Sequence, residues 1–191
     1  MSKYNREEIL QSGVEILTMK GFSGLGVQHV LKACGIPKGS FYNFFENKDA
    51  FVMEAIKLYN RKVKFILEQI DNDSTLNPIE KITKFYSISN DFFFNNSSLR
   101  TCPMMNIVSD GVENEAIIEL IHSSIDMHKG FIAKWIESAT TLELISNQID
   151  PVRLTHMIYD NYHGAVLRMK YENSELPLNN FISNVLPFYL K

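Results

Sequence analysis

Residues 27–48, VQHVLKACGIPKGSFYNFFENK, decide the fold. Val27, Val30, Leu31 and Cys34 recur at helical spacing and form the apolar face of one short helix. Gly35 stands where a left-handed C-terminal cap belongs. Ile36 is an apolar plug after the turn, and Pro37 suits a place just before a second helix or in its first turn. Phe41, Phe44 and Phe45 form the apolar set of that second helix. Lys38, Gly39, Ser40, Tyr42 and Asn43 are left for its outer face and exposed N-terminus, and Asn47–Lys48 opens the next helix. Two short helices at a sharp turn make a helix-turn-helix, whose second helix enters the DNA major groove N-terminus first.

Working outward, Asn5 to Lys20 reads as a preceding helix. Ile9, Leu10, Gly13, Val14, Leu17 and Met19 form its mostly apolar face, and Asn5 with Glu8 forms a capping pair. After the motif, helical periodicity runs from Asp49 to about Asp71, through Phe51, Val52, Ala55, Ile56, Tyr59, Val63, Ile66, Leu67 and Ile70. The turn-rich DNDSTLN then breaks it. Further helices are expected over Pro78 to about Phe94, over a short segment near Pro103, and over Glu113 to about Ser138. NNSS at 95–98 is the break after the helix that starts at Pro78, and two more helices follow, from Asp150 or Pro151 to about Tyr171 and from Pro177 to Leu190. Pro187 is placed to distort the final turn. The class is all-α with about nine helices.

The chain has 191 residues, 45% of them apolar, enough for one large domain or two small ones. Its formal charge of −3 is unevenly spread. Residues 1–64 hold ten Lys/Arg against six Asp/Glu, and the remainder nine against sixteen. A basic front on an acidic body suits a nucleic-acid contact at one end. Cys34 and Cys102, the two cysteines, make neither a disulfide framework nor a metal array. Cys34 lies on an apolar helix face and reads as a small buried filler. No signal peptide and no apolar run near 18 residues is present, so a cytoplasmic protein with no membrane partner is expected. Nothing resembles a nucleophile elbow, a phosphate loop, a zinc-binding HExxH or a CxxC pair, so the reading is of a non-enzyme without cofactors.

The string Gly21–Phe22, the helix Val27–Cys34, the turn GIPKGSFYNFF at 35–45 and Asn47–Lys48 together resemble the DNA-binding domain of TetR-family transcriptional regulators. The resemblance covers about the first third of the chain. It implies a three-helix helix-turn-helix domain at 1–48 and a helical effector-sensing and dimerisation domain at 49–191. It implies a homodimer on near-palindromic double-stranded operator DNA, released by a small-molecule effector, with the last two helices pairing across the dimer. Repression rather than activation follows by family habit. Ser40 and Asn43 can bond base edges, and Gly39 permits close backbone approach. By resemblance, Lys38 and Tyr42 contact phosphates or base edges, Lys48 points at a phosphate, and Lys3 and Arg6 are further phosphate candidates. The family commonly has Thr or Ser just before the second helix, where this chain has Leu25 and Gly26. Gln28 or backbone N–H groups then inherit that phosphate contact.

The body also resembles the branch of the family containing the N-ethylmaleimide reductase repressor, which responds to reactive electrophiles and oxidants through a cysteine. The shared features are GFSGLG at 21–26, a cysteine after the fifth helix and GAVLRMK at 164–170. By that resemblance Cys102 is the sensing thiol and Lys170 pairs with it. Cys102 falls almost at a helix N-terminus, where backbone N–H groups lower a thiol pKa, and an accessible thiolate is what electrophiles attack. The alternative is a reversible pocket for an aromatic or hydrophobic ligand, lined by Phe85, Tyr86, Phe92, Met104, Met105, His122, Trp135, Tyr159 and His163. His128, on the same long helix as His122, reads as a polar or packing residue.

Overall fold

The fold is known from a computed structural model, which describes residues 4–95, 98–99, 101–146 and 149–191. Lys3 and the centre of NNSS lie outside the described residues. The helices are α1 (Arg6–Lys20), α2 (Val27–Cys34), α3 (Lys38–Tyr42), α4 (Lys48–Asn72), α5 (Pro78–Phe93), α6 (Pro103–Ser109), α7 (Glu115–Thr141) and α8 (Pro151–Glu172). The last expected helix is continuous from Leu176 to Tyr189 but divides into α9 (Leu176–Asn180), a π-helical turn (Phe181–Val185) and α10 (Leu186–Tyr189). The only departure from an all-α chain among the described residues is a two-residue antiparallel ladder pairing Phe94 with Leu99 and Asn95 with Ser98.

Local chemistry explains most boundaries. Asn5 caps α1 by accepting from the Glu7 N–H at 2.9 Å. Asn77 and Glu80 form a complete capping box at α5, followed by Pro78. Asp150 caps α8 through the Arg153 N–H at 3.0 Å, and Asn173 closes it in the left-handed region. Pro187 has no N–H and its ring crowds the carbonyl one turn back. Just before it, the Leu186 N–H reaches the Phe181 carbonyl in a wider turn, which absorbs the proline without breaking the helix.

The chain packs as two compact units, one comprising Met1–Val63 with Thr101–Ser124, the other Lys64–Arg100 with Ile125–Lys191. In the first, Ile9, Leu10, Val14 and Leu17 of α1 are buried together with Leu25, Val30, Ile36, Phe41 and Phe51. Gly13 is required at its place in α1, because a Cβ there would lie 2.4 Å from the Phe51 ring. In the second unit the end of α4 is tied down by Asp71. Its carboxylate accepts from Lys134 Nζ at 2.7 Å and from the Trp135 indole N–H at 2.9 Å. Burial raises the Asp71 pKa, but these hydrogen bonds together with the charges of Lys134 and Lys81 outweigh it and hold the carboxyl below its usual value.

Candidate nucleic-acid interface and effector site

The turn between α2 and α3 is built from Gly35 outward. Gly35 sits in the left-handed region (φ 64°, ψ 30°) with its N–H on the Leu31 carbonyl. The Ile36 N–H reaches the same carbonyl at 3.1 Å, which aims the buried Ile36 side chain into the core. Pro37 is the extended N-cap of α3 and accepts from the Ser40 N–H at 3.0 Å. Gly26 caps α2 with no side-chain hydrogen bond, as its missing hydroxyl dictates.

α3 is shorter than its apolar pattern suggests and ends at Tyr42. The Phe44 and Phe45 N–H groups both turn back to the Phe41 carbonyl at 3.0 Å, so the chain closes one last tightened turn beyond Tyr42 before it leaves the helical path. The cause is aromatic packing. Phe45 lies 5.2 Å from Phe41 and 4.8 Å from Phe51, centroid to centroid, and Phe41 lies 5.2 Å from Phe51. Phe41 and Phe45 are thus core, and Phe44 is half-buried.

The opposite face of α3 is open. Lys38, Gly39, Tyr42 and Asn43 are exposed and Ser40 is half-buried. A Cβ on Gly39 would meet nothing within 4 Å. Lys38 Nζ lies 5.9 Å from the Tyr42 ring, setting a cation beside an aromatic edge. Gln28 is exposed on α2. Lys48 donates to the Phe22 carbonyl at 3.0 Å and sits 3.9 Å from that ring, so its ammonium is held beside the loop that leads into α2. Arg6 pairs with Glu54 at 3.4 Å.

α6 is bound to the end of α1 by buried polar contacts. The Thr101 N–H donates to the Thr18 carbonyl at 3.0 Å. Asn106 Nδ2 donates to the Leu17 carbonyl at 2.9 Å and to the Thr18 carbonyl at 3.2 Å, while its Oδ1 accepts from the Thr101 hydroxyl at 2.7 Å. At the far end of α6, Asp110 accepts from the Ser23 N–H at 2.9 Å and packs on Gly21. Asn114 caps α7 and donates to Asp49 at 2.9 Å. The 101–114 segment therefore grips both α1 and the first turn of α4.

Cys102 is the N-cap of α6, but it is buried, and the expected low pKa is corrected by the structure. Burial drives its thiol above the ordinary value, more strongly than the Met105 and Met104 N–H groups and the Tyr59 hydroxyl pull it down. Helix position is only one of the competing influences, and desolvation wins. Lys170 is exposed on α8.

Of the residues proposed from sequence to line a pocket, Tyr86, Tyr159 and His163 come together in the second unit. Tyr159 stacks on His163 at 4.0 Å, and Tyr86 packs on Tyr162 at 4.5 Å. Phe85 and Phe92 are half-buried on the same helix as Tyr86. Trp135 is committed to Asp71. In the first unit Met104 is buried, Met105 half-buried and His122 exposed. Asn90, passed over in the sequence, is buried beside Tyr162, and His128, read there as a polar or packing residue, is buried and interacts with His163. The Tyr162 hydroxyl donates to Asn90 Oδ1 at 2.9 Å, and His163 acts on His128 electrostatically. Both occupy core positions in an apolar stripe, a signal that was readable. Among the described residues no group of three or more His, Cys, Asp or Glu could hold a metal ion, and no helix is long and apolar enough to cross a membrane.

Residues 9–55 match the family model of bacterial regulatory proteins of the tetR family. The chain is 28% identical over 176 residues to the transcriptional regulator AcuR of Cereibacter sphaeroides, covering 92% of this chain and 80% of that protein. It is 25% identical over 186 residues to the transcriptional repressor DhaR of a Mycobacterium species, covering 94% and 89%. Identity to the Escherichia coli transcriptional repressor NemR is 24% over 184 residues, covering 94% and 91%. The crystal structure of regulatory protein TetR from Rhodobacter sphaeroides superposes with a TM-score of 0.90 at 26% identity, over 97% of this chain and 98% of that one. The reduced form of E. coli NemR shares the fold, with a TM-score of 0.84 at 22% identity over 94% of each chain.

Proposed function

The chain belongs to the TetR family of DNA-binding transcriptional regulators, and from that premise we propose that it is a homodimeric repressor released from its operator by a small effector. The carrying observation is the clean division of α3 into a buried Phe41 side and an open side bearing Lys38, Gly39, Tyr42 and Asn43. Asn43 and Ser40 read base edges. Lys38, Tyr42, Lys48 and Gln28 bind phosphates or base edges, and Gly39 lets the backbone approach. Residues 1–48 form the DNA-binding segment and 49–191 the effector-sensing and dimerisation segment. The test is fluorescence anisotropy on duplexes taken from upstream of the protein's own gene. Specific binding roughly 10³-fold or more above a scrambled duplex at the same salt is expected. Equal affinity for both would sink the reading.

The 101–114 segment supplies a route for release. Its hydrogen bonds to the α1 carbonyls and to the Ser23 N–H mean that an effector displacing α6 also displaces the frame that presents α2 and α3.

A covalent reading, in which an electrophile acts on Cys102, rests on one observation. Burial raises the thiol pKa, but two helix N–H groups and the Tyr59 hydroxyl oppose it and favour the thiolate. Burial makes access the controlling step. Native Cys102 is therefore expected to react with iodoacetamide more slowly at pH 8 than in denaturant, because burial both shields the sulfur and disfavours its thiolate. Because the folded pKa is raised, this group's contribution to stability holds below the unfolded value and is lost as pH climbs past it. Peptide mapping reads the alkylation, with half-buried Cys34 as the internal reference. A Cys102→Ser protein whose operator release by hypochlorite or a quinone matches wild type would retire the covalent reading.

A further inference from the structure

Among the described residues of the second unit, three side-chain polar atoms are buried with no hydrogen-bond partner within the chain: the Tyr86 hydroxyl and Asn90 Nδ2 on α5, and His128 Nε2 on α7. Interiors rarely leave such groups unmatched, because desolvation is not returned. These three belong to one contiguous cluster. Asn90 follows Tyr86 by one helical turn. Tyr162 packs on Tyr86 at 4.5 Å and donates to the other end of the Asn90 amide at 2.9 Å. His163 lies 6.1 Å from Tyr162, stacks on Tyr159 and acts electrostatically on His128. Phe181 closes one side, 5.0 Å from both Tyr86 and Tyr162.

The cluster carries no charge at neutral pH. Burial pushes His128 down to about 4 and the Tyr86 phenol well above its ordinary range. Burial also lowers His163. The charged groups near it are Lys129, 5.1 Å from the Tyr159 ring, and Asp160, which acts on His163. Neither offers a counter-ion to Tyr86 or Asn90, and an ion buried without one is strongly disfavoured.

We propose that Tyr86, Asn90 and His128 are the polar recognition group for the effector, which is a small uncharged molecule. It carries a hydrogen-bond acceptor for the Tyr86 hydroxyl and the Asn90 amide and a flat apolar body against Tyr86, Tyr162 and Phe181. His128 Nε2 takes a second polar atom of the ligand. This deepens the effector-release reading and rests on it. An ordered water in place of the ligand is the competing occupant, and the test distinguishes the two.

The experiment is thermal unfolding of the full chain with four probes of matched shape at pH 7.5: benzamide, benzyl alcohol, benzoate and benzylamine. The neutral pair is expected to raise Tm by about 5–10 °C at a hundredfold excess over Kd, and the charged pair to leave it unchanged. Tyr86→Phe and Asn90→Leu are expected to match or exceed wild-type Tm without probe, because each removes an unmatched polar atom. Both are expected to lose the response to the neutral probes. Shifts as large with benzoate or benzylamine, or no shift with any probe, would overturn the proposal. A lowered probe-free Tm in both variants would do so too, since it would show that water already satisfies the groups. Operator binding on the same samples separates the two readings. A wild-type protein that ignores operator but keeps the neutral-probe shift loses the repressor reading and keeps the site.

Discussion

Phe41→Ala is expected to abolish operator binding and to remove a large part of the chain's stability at once. Phe41 is fully buried on α3 and meets the Phe45, Phe51 and Tyr42 rings between 5.2 and 5.3 Å. Truncating a buried Phe costs about 3–5 kcal/mol through lost transfer energy and the cavity left behind. Domains of this kind hold only about 5–15 kcal/mol in total. The loss is larger in function than in stability, because Phe41 and Phe45 are what turn the short α3 face outward. Asn43→Ala is the contrasting variant. Asn43 is exposed beside the end of α3, so its stability change stays within about 0.5 kcal/mol. A lost base-edge contact nonetheless costs about 1–3 kcal/mol in each half-site. Urea unfolding and operator anisotropy on both proteins check the pair. Phe41→Ala with wild-type midpoint and affinity would show that α3 is positioned by something else.

The parts of this molecule that were legible in the sequence are those set by neighbours a few residues away. Gly35, Ile36 and Pro37 specify their turn through backbone chemistry alone, and α2 falls where its apolar spacing puts it. Pro187 announced a disturbed last helix, although not that a π-helical turn would absorb it. Phe44 and Phe45 misled because apolar spacing cannot separate a continuing helix from one last tightened turn drawn in by a ring packed on Phe51, itself on another helix. Cys102 was legible as lying near a helix N-terminus, though not as its N-cap, and illegible as a buried thiol, since burial depends on what α1 and α4 bring to it. Asn106 and Asp110 bond to partners more than 80 residues earlier, and no local pattern marks a polar helix residue for such a partner. Asn90 and His128 were the readable exceptions. A polar residue in a core stripe either has a partner or awaits one.

Replacing Leu167 and Phe188 together by Asp is expected to yield a folded monomer that has lost operator binding. In the single chain Leu167 is 50% exposed and Phe188 is 68% exposed. They share the second unit with other exposed apolar side chains, Val152, Met157 and Tyr171 on α8 and Leu176 on α9. Large exposed apolar groups concentrated on two helices mark a surface that another protein covers, and a second copy of this chain is the occupant proposed above. Because neither side chain is buried within the chain, the substitutions leave its own core intact, and the far-ultraviolet circular dichroism spectrum should match wild type. Two carboxylates set into an apolar interface carry a desolvation cost that one neighbouring cation, Lys191 beside position 188, does not offset. One α3 offers few base contacts, so useful affinity depends on two half-sites bound together. Losing the second removes an avidity gain of about 10²–10⁴. Sedimentation equilibrium gives the mass, and anisotropy on the full operator gives the affinity. A double variant that stays dimeric would place the interface elsewhere. A monomer with undiminished affinity would mean that a single α2–α3 unit reads its site alone, and the two-fold symmetric operator would have to be given up.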